Sequence, residues 1–134
     1  MSENVLSEEK AKQMQPLVLA MVGDSVQTLF VREYVAINYG VKVNKMNKIV
    51  TSVVKAGAQC TTFKKIESLL LEDELDIARR ARNSNMHTKS KNFSYAEYIH
   101  ATALEAVIGY LHLCGKTERL KFVLYKSLEE LVCE

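Results

Sequence analysis

Apolar residues recur along the chain mostly three and four positions apart, and almost nothing alternates as a strand would, so the pattern predicts an all-α protein. Pro16 stands where a first helical turn tolerates proline, and a helix is expected from about Pro16 to about Ile37. Asn38, Tyr39 and Gly40 supply its stop. Asn44 is a candidate cap for a second helical stretch, about Lys45 to Ser68, with a break near Ala56-Gly57. Glu72 to Arg82 reads as a short helix whose early acids and late arginines match the helix dipole. Asn83 to Phe93 is polar and aperiodic and reads as a loop. Ser94-x-x-Glu97 has the spacing of a capping box opening a long apolar helix to about Cys114, which Gly115 ends. A last amphipathic helix runs from Thr117 to about Val132, and residues 1–14 read as an N-terminal extension or a short helix.

The 134 residues suit one domain over 1–134, with no internal repeat or interdomain linker. An apolar content of 48% supplies a core and excludes a disordered chain. No apolar run approaches the ~20 residues of a membrane span, since Gly23, Asp24, Ser25 and Gln27 interrupt the best candidate, Leu17 to Val31. The N-terminal residues do not have the pattern of a secretory signal. Cys60, Cys114 and Cys133 are odd in number and not in metal-binding spacing, which reads as reduced thiols and a cytoplasmic location.

Charge adds little as a total, +2, and more as a distribution. Between Ile77 and Ala96 lie Arg79, Arg80, Arg82, Lys89 and Lys91 with no acid, which leaves thirteen basic residues against sixteen acids elsewhere. A second acid-free stretch, Tyr34 to Ile66, carries six lysines. Local basic stretches can hold a polyanion whatever the net charge; a solvated helix face and a polar loop would look the same.

Two acids stand where acids are costly. Asp24 interrupts LVLAMVGDSVQTLFV and Glu105 interrupts IHATALEAVIGYLHL, both apolar on nearly all faces. Neither has a Lys or Arg three or four residues away. Each must therefore find a partner across the fold, reach water in a cleft, or bind a cation. Two such carboxylates converging from central helices would make a hard-oxygen site suited to Mg²⁺. Gly23 and Gly109, each next to an acid in sequence or one turn away, point to close backbone approach, because glycine inside a helix costs up to ~1 kcal/mol against alanine. Ser25 and Thr102 flank the acids and could hold a water there; ordinary helix packing explains them equally. His100 and His112 are too far apart along one helix to chelate together, and His87 lies in the basic loop.

Val22-Gly23-Asp24-Ser25-Val26 resembles the end of the ribonuclease III signature, and Ala103-Leu104-Glu105-Ala106-Val107-Ile108-Gly109 resembles that family's second motif. The short length and the AMVGDSV and TALEAVIGYLHL forms resemble the Mini-ribonuclease III branch, which consists of the catalytic domain without a double-stranded-RNA-binding domain. The resemblance covers Gln15 to the C-terminus. Full-size members carry two more acids at the positions of Ala20 and Thr102; the Mini branch resembles this chain in lacking them.

The resemblance implies a ribonuclease III-like helical endonuclease domain and a Mg²⁺-dependent endoribonuclease acting on double-stranded RNA. Asp24 and Glu105 would be the catalytic, metal-binding acids, the metal would activate a water for attack on the phosphodiester, and the products would carry 5′-phosphate and 3′-hydroxyl ends. It further implies a two-fold homodimer, and as substrate the precursor of large-subunit (23S) ribosomal RNA. With no separate binding domain, Arg79, Arg80, Arg82, Asn83, Lys89 and Lys91 are the candidate RNA contacts. Loss of the two acids leaves a second expectation, a catalytically inactive RNA-binding protein on the same scaffold.

Overall fold

Seven helices lie where local chemistry starts and stops them in the computed structural model, which describes residues 5–84 and 94–132. They are α1 (Glu8–Gln13), α2 (Pro16–Tyr39), α3 (Val43–Val54), α4 (Ala56–Ile66), α5 (Glu72–Asn83), α6 (Tyr95–Leu113) and α7 (Thr117–Ser127), with single 3₁₀ turns at Glu67–Leu69 and Leu128–Glu130. No strand occurs among the described residues. Ser7 caps α1 by accepting from the Lys10 N–H. Pro16 opens α2, and Gly40 and Gly115 adopt the left-handed backbone, φ 56° and 73°, that lets the chain leave α2 and α6. Ser94 Oγ accepts from the Glu97 N–H at 3.1 Å and starts α6.

Three boundaries differ from the sequence pattern. Asn44 is not a cap: α3 begins one residue earlier, at Val43, and Asn44 lies inside it. The break expected near Ala56-Gly57 is present, at Lys55, whose extended backbone ends α3 and begins α4. The reason is tertiary. α3 turns Ile49, Val50 and Val53 onto the far half of α2, whereas α4 turns Ala58, Thr62, Phe63 and Ile66 toward α6. One straight helix cannot serve both directions. Finally, α5 extends through Asn83, and α7 gives way to a 3₁₀ turn after Ser127.

Helix α6 is the centre of the molecule. It packs most extensively on α2, then on α4 and α5, and also touches α7 and α1. From Ala101 to Leu111 every residue except Glu105 is buried, as the near-continuous apolar sequence requires. Helix α2 is equally apolar but is buried on one side only, through Leu19, Ala20, Gly23, Gln27, Val31 and Val35. Its other side leaves Met21 76% and Ile37 80% exposed, with Leu17, Val18 and Leu29 also open to solvent. A second, smaller core of Val31, Val35, Ile49, Val50 and Val53 joins the end of α2 to α3.

Polar ties close the outer helices. The fully buried Glu74 carboxylate receives Arg119 Nε at 2.9 Å and Nη2 at 2.7 Å, and its Oε1 also accepts the Leu71 N–H at 3.0 Å. Lys116 Nζ, from the turn before α7, and the Tyr110 hydroxyl of α6 both donate to Asp73 on α5. No helix of the described residues is long and apolar enough to cross a membrane.

Candidate active site

The two acids are brought together by two glycines. A Cβ built on Gly23 would lie 1.8 Å from the Glu105 carbonyl oxygen, and one on Gly109 would lie 1.9 Å from that of Leu19. At this crossing the α2 and α6 backbones touch, which no other residue permits. Asp24 follows one glycine, and Glu105 sits one turn before the other. The contact that forbids a side chain at Gly23 therefore also sets the two carboxylates within hydrogen-bonding reach of each other.

They line one open cleft of about 340 Å³. Ala20 and Thr102 face the same cleft, with Leu17, Met21 and Tyr98 at its edge. Asp24 is exposed, and Glu105 is the single incompletely buried residue between Ala101 and Leu111. Burial pushes the Glu105 carboxyl up to about 8; the adjacent Asp24 charge adds to the rise, and a hydrogen bond from Gln59 opposes it. Gln59 Nε2 reaches Glu105 Oε2 at 3.2 Å and Gln27 Oε1 at 2.8 Å. No ion pair among the described residues includes Asp24 or Glu105. The contrast with Glu74, buried against Arg119, is direct.

This donor set fits a divalent cation. Burial and the adjacent Asp24 both disfavour the ionised form of Glu105, and a positive charge in the cleft would offset them. Both carboxylates offer hard oxygen, and the cleft is wide enough for water and phosphate oxygens to complete a Mg²⁺ shell. Among the described residues no third His, Cys, Asp or Glu joins them to form a larger metal-binding group.

The remaining candidates scatter. Thr102 Oγ1 lines the cleft but donates back to the Tyr98 carbonyl at 3.0 Å. Ser25 faces a different depression, shared with Leu29, Phe30, Glu33 and His112. His100 lies with its ring tilted against Phe63, centroids 5.6 Å apart, and bonds the Ala96 carbonyl through Nδ1. Arg79 is exposed on α5 and pairs with Asp76. Arg80 has internal work, donating to the Lys12 carbonyl at 2.8 Å and the Met14 carbonyl at 3.2 Å. Arg82 pairs with Glu67 at 3.1 Å and lies 5.6 Å over the Phe63 ring. Asn83 is the last residue of α5. Lys89, Lys91, His87 and Cys133 lie outside the described residues. Cys60 and Cys114 are free thiols.

Sequence reasoning missed Gln59 and the role of Gln27. Both are buried polar residues, and the only local signal was a glutamine at a core position of each helix. It also missed Glu74, whose buried carboxylate is satisfied 45 residues away in sequence by Arg119.

Residues 17–116 match the ribonuclease III domain. The chain is 40% identical over 125 residues to a Mini-ribonuclease 3 from a Thermoanaerobacter species, covering 93% of this chain and 88% of the relative. It is 37% identical over 119 residues to the Mini-ribonuclease 3 of Staphylococcus aureus, covering 87% of this chain and 89% of that one. A crystal structure of a Fusobacterium nucleatum protein superposes with a TM-score of 0.81 at 33% identity, over 87% of this chain and 93% of that one. Two motifs in register, the crossing that joins their acids, and these likenesses over most of the chain place it in one family: the protein belongs to the ribonuclease III family of endoribonucleases.

Proposed function

We propose that this chain cleaves double-stranded RNA at the Asp24–Glu105 cleft with the help of Mg²⁺, and that the precursor of 23S ribosomal RNA is its substrate. The observation that carries the reading is the pair of carboxylates, drawn from α2 and α6 into one open cleft and paired with no basic side chain among the described residues. The 23S precursor comes from the kinship alone, through the Mini-ribonuclease branch that the chain resembles.

Asp24 and Glu105 would hold the cation, each through carboxylate oxygen. Bound there, Mg²⁺ supplies the positive charge that offsets charge building on the phosphate and lowers the pKa of an attacking water. Asp24, which is exposed, would meet solvent and substrate, and Glu105, which is less exposed, accepts a hydrogen bond from Gln59. Hydrolysis would leave 5′-phosphate and 3′-hydroxyl ends. Arg79, Asn83, Lys89 and Lys91 are the proposed phosphate contacts, with Arg80 and Arg82 reaching RNA only by giving up internal partners. The exposed apolar side of α2, with Met21 and Leu29, suits a two-fold homodimer, in which two sites would address two strands.

The inactive-scaffold reading has one observation in its favour. Ala20 and Thr102, at positions where full-size relatives carry acids, face this cleft and supply no carboxylate. Cleavage separates the two. The wild-type protein is expected to cut a long RNA duplex with Mg²⁺ and not with excess chelator. Asp24→Asn should abolish cutting while retaining duplex binding and oligomeric state. Duplex binding by the wild type without metal-dependent cutting would overturn the nuclease assignment.

A further inference from the structure

Buried behind the cleft is a pair of glutamines that an α-helical core has no packing reason to contain. Gln59 on α4 is 3% exposed and Gln27 on α2 is fully buried. Gln59 Nε2 spends one proton on Gln27 Oε1 at 2.8 Å and the other on Glu105 Oε2 at 3.2 Å. We propose that the Gln27–Gln59 pair is a positioning relay, which aims Glu105 at the cleft and keeps one of its carboxylate oxygens free for the divalent cation.

The direction of the relay follows from the donor inventory. A carboxamide has a donor end and an acceptor end, and rotation exchanges them. With Gln59 turned the other way, its oxygen would face the oxygen of an ionised Glu105, and that repulsion would push the carboxylate from its seat. Gln27 favours the observed orientation by presenting its own oxygen to Gln59 Nε2. The arrangement leaves Gln27 Nε2 buried with no hydrogen-bond partner among the described residues. A core selected for stability alone would avoid an unpaired donor or fill the space with apolar side chains. Here the unpaired donor is the consequence of aiming Gln59 at Glu105. With Oε2 occupied by Gln59, Oε1 is the oxygen left for the cleft, so the relay selects one mode of binding.

Partners that orient metal ligands typically cost 10–100-fold in metal affinity or activity when removed. The inference rests on the cation reading of the cleft, so the test carries a control for it. Mn²⁺ binding to the purified protein, without RNA, is measured by calorimetry for wild type, Asp24→Asn, Gln59→Met and Gln27→Met. Wild type should bind and Asp24→Asn should not; equal binding by both would sink the cation site itself. Given that control, Gln59→Met should bind roughly 10-fold more weakly and Gln27→Met several-fold more weakly. With saturating metal, kcat should fall while KM for duplex RNA stays constant. Wild-type Mn²⁺ affinity in both folded glutamine variants would overturn the relay. Should these variants not fold, the wild-type protein still decides: the Gln59 side-chain amide protons, followed by NMR, should shift on Mg²⁺ addition. Unmoved resonances would refute the proposal.

Discussion

Replacing Gly109 with alanine sets two effects of opposite sign against each other. Helix propensity favours alanine over glycine by up to ~1 kcal/mol inside a helix. Packing opposes it. The new methyl would begin 1.9 Å from the Leu19 carbonyl oxygen and 2.8 Å from its carbon, both backbone atoms that cannot rotate aside. Even a close carbon–oxygen contact needs about 3.3 Å, so α2 and α6 must separate by roughly 1 Å or more. A gap of that size forfeits about a quarter to a half of the dispersion energy across the contact. It does so at the most extensive helix–helix interface of the protein. Overpacking of this kind costs about 1–3 kcal/mol and sometimes more, so the clash outweighs the propensity gain. The expected net loss is roughly 2 kcal/mol, a fall in Tm on the order of 5–10 °C for a domain of this size. The same separation displaces Asp24 from Glu105, and misplacement by about 1 Å can cost ~10²-fold in rate. Thermal unfolding by circular dichroism, with duplex cleavage measured well below the midpoint, reads both effects. A Gly109→Ala protein that melts at or above the wild-type temperature and cleaves at the wild-type rate would refute the close-approach argument.

Other consequences can be measured alongside. Arg119→Ala strands the fully buried Glu74 carboxylate and should cost about 3–5 kcal/mol, read by denaturant unfolding; a loss under ~1 kcal/mol would mean that water reaches Glu74. Glu105 is pushed up to about 8, above its unfolded value, so its contribution to metal-free stability is complete below about pH 4.5 and is lost as pH rises through about 8. Melts in chelator should therefore show stability falling between about pH 4.5 and 8 and levelling above that, with the fall diminished in Glu105→Gln and largest Mg²⁺ protection at the alkaline end; a flat profile in the wild type would contradict the burial argument. Arg80→Ala should lower Tm by removing the donors that tie α5 to the Lys12 and Met14 carbonyls, whereas Arg79→Ala should leave Tm unchanged and reduce the slope of log RNA affinity against log salt. Equal effects of the two on Tm would refute the division of labour.

Much of this protein is written locally. The apolar spacing, Pro16, Gly40, Gly115 and the Ser94–Glu97 cap determine that it is all-helical and where α2 and α6 begin and end, because these signals act within one or two turns of chain. Asp24 and Glu105 were conspicuous as acids without local partners, and Gly23 and Gly109 as glycines without a local reason. Each anomaly was visible in sequence because it violates a rule of single helices. Its resolution was not, since the resolving partner lies on another helix. Only tertiary structure decided that the two glycines face each other and that Glu105 is met by a glutamine 46 residues earlier. The arginines make the same point in reverse. Sequence placed Arg79, Arg80 and Arg82 in one basic stretch, and the fold gave them unlike surroundings: Asp76 for Arg79, the Lys12 and Met14 carbonyls with Asp76 for Arg80, and Glu67 for Arg82. Helix periodicity is a property of neighbours in the chain; the pairing of donors, acceptors and charges belongs to neighbours in space, and the packing of α6 among the other helices determines those neighbours.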